Sequence, residues 1–342
     1  MLDSETFEGA IRRGDFGNGA TLIAAAGFEE RCLAAARLLR THRVRIVNGI
    51  VLDYSDKQLN EPRRSELINT VQQVAEVFVL HASDEASFSF ASLPQLGEGE
   101  IIVDITGLDR MLMFALLDEL DRRGTEFHVV YTEAENYFPT RAFYESLTKG
   151  GASKETAFSR YLKYEKAEFA YSYDCDLIRP MRFMGDPEPG QPFMLIGFFA
   201  FKRSRLQMVL QEIETEKKVF ILSVPIRGDF AWRKDCQAII NWDLIENDPD
   251  AVQEVPTLYP EQVFEFLEKK CFGSGDHTRF NILLSPLGSK MQTLGCYLFW
   301  RAHPTVSVVF AHPRRFFPPS FSDGYRSTFY VCKKRLAKIK AD

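Results

Sequence analysis

The amino-acid sequence predicts an α/β protein of two Rossmann-like halves, each a doubly wound and mainly parallel sheet, related by internal duplication. Three observations carry the prediction. Short apolar runs alternate with segments of helical periodicity from about residue 20 onward. Two of the runs, residues 101–105 and 193–198, are almost wholly apolar, as strands covered on both faces by helices must be. The landmarks of the first half also return, in the same order, in the second.

In the first half, the apolar run 21–26 ends at Gly27, and an amphipathic segment follows with Cys32, Ala35, Ala36 and Leu39 on one face. Residues 44–52, rich in Val and Ile, form the next strand, and a polar helix-like stretch covers 61–75. Strands follow at 77–81 and 101–105. The second of these runs into Thr106-Gly107, residues 110–123 have helical spacing, and a strand at 127–131 closes the series. The turn-rich stretch Gly185-Asp186-Pro187-Glu188-Pro189-Gly190 precedes the second series. It runs strand 193–198, helix 202–213, strand 219–224, helix 232–242, helix 260–271 opened by Pro260, strand 280–284, helix 290–301 and strand 305–310. The expected organisation is a Rossmann-like domain over 1–150, a connector over 151–190 and a second Rossmann-like domain over 191–342. Residues 153–183 are aromatic and charged without clear period, and are read as a connector packed between the halves.

Bulk composition narrows the class. The 342 residues are 45% hydrophobic and 26% charged, ordinary globular values that suit two domains. A formal net charge of −5 argues against wide, nonspecific binding of duplex DNA. Contact with nucleic acid through a local basic patch, such as the tail 333–340, stays open. No apolar run is long enough to cross a bilayer, and the acidic start Met1-Leu2-Asp3-Ser4-Glu5 is unlike a signal peptide, so a cytoplasmic protein without a membrane partner is expected. The six cysteines are scattered, with no CxxC pair and no histidine at ligand spacing, so no metal site is expected. Only one glycine, Gly27, stands in the loop after the first strand, which disfavours NAD or FAD, and no Walker-type phosphate loop is present. No cofactor is expected.

The repeat carries the chemistry. Val103-Asp104-Ile105-Thr106-Gly107-Leu108-Asp109-Arg110-Met111 is answered by Leu283-Leu284-Ser285-Pro286-Leu287-Gly288-Ser289-Lys290-Met291. Each leaves a strand, passes a glycine-containing turn, and puts a basic residue followed by Met at the start of a helix. Farther on, Val129-Val130-Tyr131 answers Val308-Val309-Phe310, and Tyr137-Phe138-Pro139 answers Phe316-Phe317-Pro318. A helix N-terminus exposes unpaired N–H groups and partial positive charge, so a cation there opposes the helix dipole. A bound anion would offset that repulsion. Glycine at the turn admits close backbone approach and positive φ. On this reading Gly107 with Arg110, and Gly288 with Lys290, hold a small anionic ligand such as a phosphate or nucleotide. The alternative is that the glycines only make tight turns and the cations are solvated.

The stretch Asp104-Ile105-Thr106-Gly107-Leu108-Asp109-Arg110-Met111 resembles a motif of the CRISPR-associated Rossmann-fold (CARF) nucleotide sensors, which runs Asp-x-Thr-Gly-Gly-Thr-Lys-x-Met. Here Leu108 stands for the second Gly, Asp109 for Thr and Arg110 for Lys. Gly288-Ser289-Lys290-Met291 matches the Gly-[Ser/Thr]-Lys core, with Ser285-Pro286 before it. The resemblance implies a second-messenger nucleotide such as a cyclic oligoadenylate, bound in a cleft between the lobes on Thr106, Gly107, Arg110, Gly288, Ser289 and Lys290, a role in prokaryotic antiviral defence, and a protein effector as possible partner.

Further candidates sit at other strand ends. Gly27, Glu30 and Arg31, with Glu29, follow the first strand and either contact the ligand or simply start a helix. Asp53 ends the second strand, where an acid can grip a ribose hydroxyl or cap the strand. Glu29, Asp104, Glu133 and His312 are the candidates for acid–base catalysis, with Glu133 and His312 at matching places in the two halves. The run His312-Pro313-Arg314-Arg315-Phe316-Phe317-Pro318-Pro319 mixes cations with aromatics, suited to stacking on a base or to plugging a core. Three functions follow: a nucleotide or phosphate-ligand sensor, an enzyme acting on a nucleotide or phosphosugar, and a protein-interaction scaffold.

Overall fold

A computed structural model of the chain describes residues 5–27, 29–54, 57–73, 75–82, 93, 96, 99–168, 175–313, 322–334 and 336. Its contacts separate two units, Met1–Tyr137 with Pro318–Asp342, and Phe138–Phe317. The boundaries expected at 150 and 190 both fall inside the second unit.

The first unit opens with β1 (Glu5–Thr6) and α1 (Phe7–Arg12), a helix started by the Thr6 hydroxyl accepting from the Gly9 N–H. It continues through β2 (Ala20–Ala25), a 3-10 turn over Glu30–Leu33, α2 (Ala34–Thr41), β3 (Ile46–Tyr54), α3 (Lys57–Gln72), β4 (Glu76–Ala82), β5 (Glu100–Asp104), α4 (Arg110–Arg122), β6 (His128–Thr132) and β7 (Asn136–Tyr137). Strands β4, β3, β2, β5 and β6 are neighbours in that order and all parallel. Counted along the chain, this is the order 3-2-1-4-5. β2 is buried over its whole length because sheet and helices enclose it. α4 is buried almost all round, from Met111 through Asp118 and at Leu120, so it lies under its neighbours rather than on the surface.

The second unit holds α5 (Arg141–Thr148), α6 (Lys154–Glu168), β8 (Cys175–Ile178), β9 (Phe193–Phe198), α7 (Ser204–Glu212), β10 (Lys217–Val224), α8 (Trp232–Ile240), α9 (Trp242–Asn247), β11 (Val252–Pro256), α10 (Pro260–Glu268), β12 (Asn281–Ser285), α11 (Lys290–Ala302), β13 (Ser307–Val308) and β14 (Phe310–Pro313). Its five-stranded sheet runs β11, β10, β9, β12, β13, again all parallel and again 3-2-1-4-5. Two Rossmann-like halves are therefore present, with one strand order.

The chain ends back in the first unit. β15 (Ser322–Asp323) pairs with β7, and β16 (Thr328–Val331) runs antiparallel to β6 and is joined by β1, which completes a seven-stranded sheet.

Several expected elements differ in detail. The connector, in which no element was expected, contains α6 and β8, and β8 pairs antiparallel with β14. The strand expected at 305–310 is two pieces, because the chain leaves β12 after Val309, whose N–H still donates to the Leu284 carbonyl, and turns to β8. The helix expected at 232–242 breaks at Asn241, whose side-chain amide donates to the carbonyls of Ala200 and Gln237. β11 was not expected; Val-Gln-Glu-Val-Pro lies at the sheet edge and buries little of its length, so it lacks an apolar run.

Candidate functional site

In a 3-2-1-4-5 sheet the chain reverses its direction of travel between strands 1 and 4, and the loops leaving their carboxyl ends diverge there into a crevice. The strands concerned are β2 and β5 in the first unit and β9 and β12 in the second. The loops after them carry Gly27, Thr106, Gly107 and Arg110, and Gly288, Ser289 and Lys290. The expected turn residues therefore stand at the switch point of each sheet.

In the first unit the β5–α4 turn is locked by its own polar groups. Asp104 is buried, and its Oδ1 accepts from the Thr106 N–H at 2.9 Å. The Thr106 hydroxyl in turn accepts from the Thr132 N–H at 2.9 Å, tying β5 to the end of β6. Burial pushes the Asp104 carboxyl up to about 6, against the lowering influence of the Thr106 hydrogen bonds and the Arg31 charge. Asp104 thus holds Thr106.

Gly107 is not in the left-handed region. A Cβ there would lie 2.4 Å from the Ala25 carbonyl oxygen and 3.2 Å from Cys32 Cβ, so glycine is required by contact with the β2 loop. Gly27 faces it, its own Cβ position 3.4 Å from Gly107 Cα. The positive φ expected at such turns is absent from Gly288 as well.

Asp109 is the N-cap of α4, its Oδ1 accepting from Met111 N–H at 2.7 Å and Leu112 N–H at 3.4 Å. Arg110 follows as the first helical residue and is half-buried; the first turn of α4 holds no acid beyond the Asp109 cap.

Glu29 and Arg31 are held together. Arg31 is buried and donates to Glu29 Oε2 at 2.9 Å, the Thr132 carbonyl at 3.0 Å and the Tyr131 hydroxyl at 3.2 Å. The rings of Tyr131 and Tyr137 lie 5.6 and 5.7 Å from its guanidinium carbon, and Ser322 donates to the other oxygen of Glu29. Although burial alone would lower it, the Glu29 carboxylate keeps the guanidinium well above its ordinary pKa. Glu30 accepts from Arg37, which also pairs with Glu66. Phe28 lies outside the described residues. Glu133 is buried, its N–H donating to the Ser327 carbonyl and its carbonyl accepting from the Arg326 N–H.

In the second unit Ser289 caps α11 within a capping box: its hydroxyl accepts from the Gln292 N–H, and Gln292 Oε1 accepts from the Ser289 N–H at 2.9 Å. Gly288 is small because a Cβ would meet Gln292 Oε1 at 2.2 Å and the Phe198 ring at 3.0 Å. Lys290 is the first helical residue, half-buried, again with no acid in the first turn. His312 is half-buried in β14, in register with Asp176 of β8. Residues 314–321, with most of the expected aromatic and basic cluster, lie outside the described residues.

The β9–α7 turn, whose Gly197–Arg203 answers the opening loop of the first half in sequence, was given no ligand role there. α7 begins without a side-chain cap. The Ser204 hydroxyl at its start and the Ser285 hydroxyl at the end of β12 are buried without a hydrogen-bond partner among the described residues. Burial, then the neighbouring Arg205, pushes the Lys202 ammonium down to about 7. Arg203, beside them, is engaged with Asp243 and lies 3.8 Å from Glu165. The signal was present as Lys202-Arg203-Ser204-Arg205, a polar run directly behind the central strand.

No family model and no curated protein matches the chain. Among solved structures it is similar to a type III CRISPR defence DNA nuclease activated by cyclic oligoadenylate, with a TM-score of 0.50 and 9% identity. The likeness is one of fold. It covers 85% of this chain and 65% of the nuclease chain, so this chain spans about two thirds of that protein. The apo form of AtPrR2 also matches, at 10% identity over 77% of this chain and 87% of that one, but its TM-score of 0.26 carries no argument.

Proposed function

We propose that this chain binds a nucleotide ligand through phosphate at the carboxyl edges of its two sheets and serves as a second-messenger sensor in prokaryotic antiviral defence. One observation carries the reading: at the same switch point of two sheets with the same strand order, the first residue of the helix is a cation, Arg110 or Lys290, set against its own helix dipole. Asp109 takes the Met111 and Leu112 N–H groups, and the Ser289–Gln292 box takes those of Ser289 and Gln292, so the side chains carry much of the grip on phosphate. In the second unit the uncapped start of α7, with Lys202 and the Ser204 hydroxyl, offers a further seat. The repeated strand order also favours descent of the two halves by duplication. That the nuclease of similar fold is activated by cyclic oligoadenylate makes this class of ligand the first to test.

Isothermal titration with AMP, ATP and cyclic oligoadenylates of several ring sizes tests the proposal. At least one compound is expected to bind, and Arg110→Ala or Lys290→Ala to weaken it about tenfold, the worth of one charge-assisted hydrogen bond. No heat from any compound, or binding by both variants as tight as by the wild type, overturns it.

A further inference from the structure

In dinucleotide-binding Rossmann folds an acid at the end of the second strand takes the ribose hydroxyls. Asp53 of β3 occupies that place but is fully buried and cannot reach a ligand. Its Oδ2 accepts instead from Arg64 Nε of α3 at 2.8 Å and lies 3.1 Å from Nδ1 of His81, its register partner on β4. A carboxylate only accepts, so the ring nitrogen beside Asp53 is the one that bears a proton, which leaves Nε2 for another partner. The His81 side chain is 60% exposed, and Asp53 meets its Nδ1, not its Nε2.

From this geometry, and resting on the nucleotide reading above, we infer that His81, oriented by Asp53, is the ribose-recognition residue of the first unit and accepts a hydrogen bond from a ribose 2′-hydroxyl of a ribonucleotide ligand. Asp53 is a positioning residue. The arrangement moves the acceptor one strand outward and keeps the negative charge buried, away from the ligand's phosphates. β4 lies two strands from β2, roughly 10 Å at the usual spacing, so phosphate at the switch point and ribose at His81 suit an extended ligand of more than one nucleotide. In a 3′,5′-linked oligonucleotide the 2′-hydroxyl is the one free ribose hydroxyl, so this acceptor would distinguish RNA from DNA chemistry.

The test is a double comparison by isothermal titration, with a cyclic oligoadenylate and its all-2′-deoxy counterpart against the full-length wild type and His81→Ala. His81 is exposed, so the variant is expected to fold, which circular dichroism checks. The wild type is expected to prefer the ribose compound by about tenfold, and His81→Ala to bind both alike at the weaker level. Asp53→Asn, if folded, is expected to reduce the preference without abolishing binding, because an amide no longer fixes the imidazole tautomer. Equal wild-type affinity for the two compounds, or undiminished preference in His81→Ala, overturns the assignment of His81 while leaving the nucleotide reading in place. Failure of the wild type to bind either compound overturns the assignment of His81, and the nucleotide reading falls with it only if AMP, ATP and the other ring sizes also fail to bind.

Discussion

Asp104 and Thr106 connect the switch point to the stability of the first unit. The Asp104 carboxyl is pushed up to about 6 from an ordinary 3.8, so the folded chain holds its proton more tightly than the unfolded chain does. Its contribution to stability is therefore complete below about pH 3.8 and is lost as the pH rises through about 6, on the order of 3 kcal/mol in all. Asp104→Asn removes the titrating group and keeps an oxygen to accept from the Thr106 N–H. Urea unfolding at pH 4, 6 and 8 is expected to give a flatter pH profile for the variant, with stability at pH 8 equal to or above wild type. An unchanged slope would mean that Asp104 does not titrate in this range. The same residues explain what the sequence concealed at this scale. Asp104, Thr106, Glu29 and Arg31 were visible as candidates, but nothing in their spacing disclosed that they spend their polar atoms on one another and on the end of β6. Such partners come from strands distant in sequence: Arg31 meets Thr132, and Glu29 meets Ser322.

At the scale of elements, the long apolar segments were legible and the caps and breaks were not. α4 and α11 begin where the helical spacing begins, because Asp109 and Ser289 are good N-caps and the residues after them are apolar on more than one face. The strand after residue 193 was legible for a related reason: a run buried on both faces cannot alternate. α6 was missed because its charged and aromatic residues share no stripe, and β11 because an edge strand need not be apolar. The turn glycines were seen, but the positive φ expected of them is absent. Gly107 is fixed by the approach of two loops, and its conformation is open to any residue. Gly107→Ala is accordingly expected to drive a methyl into the Ala25 carbonyl and cost about 1–3 kcal/mol, through overpacking. Chemical denaturation measures it. A variant as stable as wild type would mean that the β2 and β5 loops separate without cost.

For the whole molecule, alternation of strand and helix was enough to give two Rossmann-like sheets, while the strand order the two sheets share was not legible in the sequence. The return of the chain's last strand to the first sheet was not legible, because β16 pairs with β6 at a separation of nearly two hundred residues and no local pattern encodes a partner. Both switch points bear a basic residue at the first helical position, and on this coincidence the ligand assignment stands. The most direct measurement is a crystal structure of the full-length chain soaked with a cyclic oligoadenylate. The account predicts phosphate density within hydrogen-bonding distance of the Arg110 guanidinium, the Lys290 ammonium or both; ligand bound away from both side chains would contradict it.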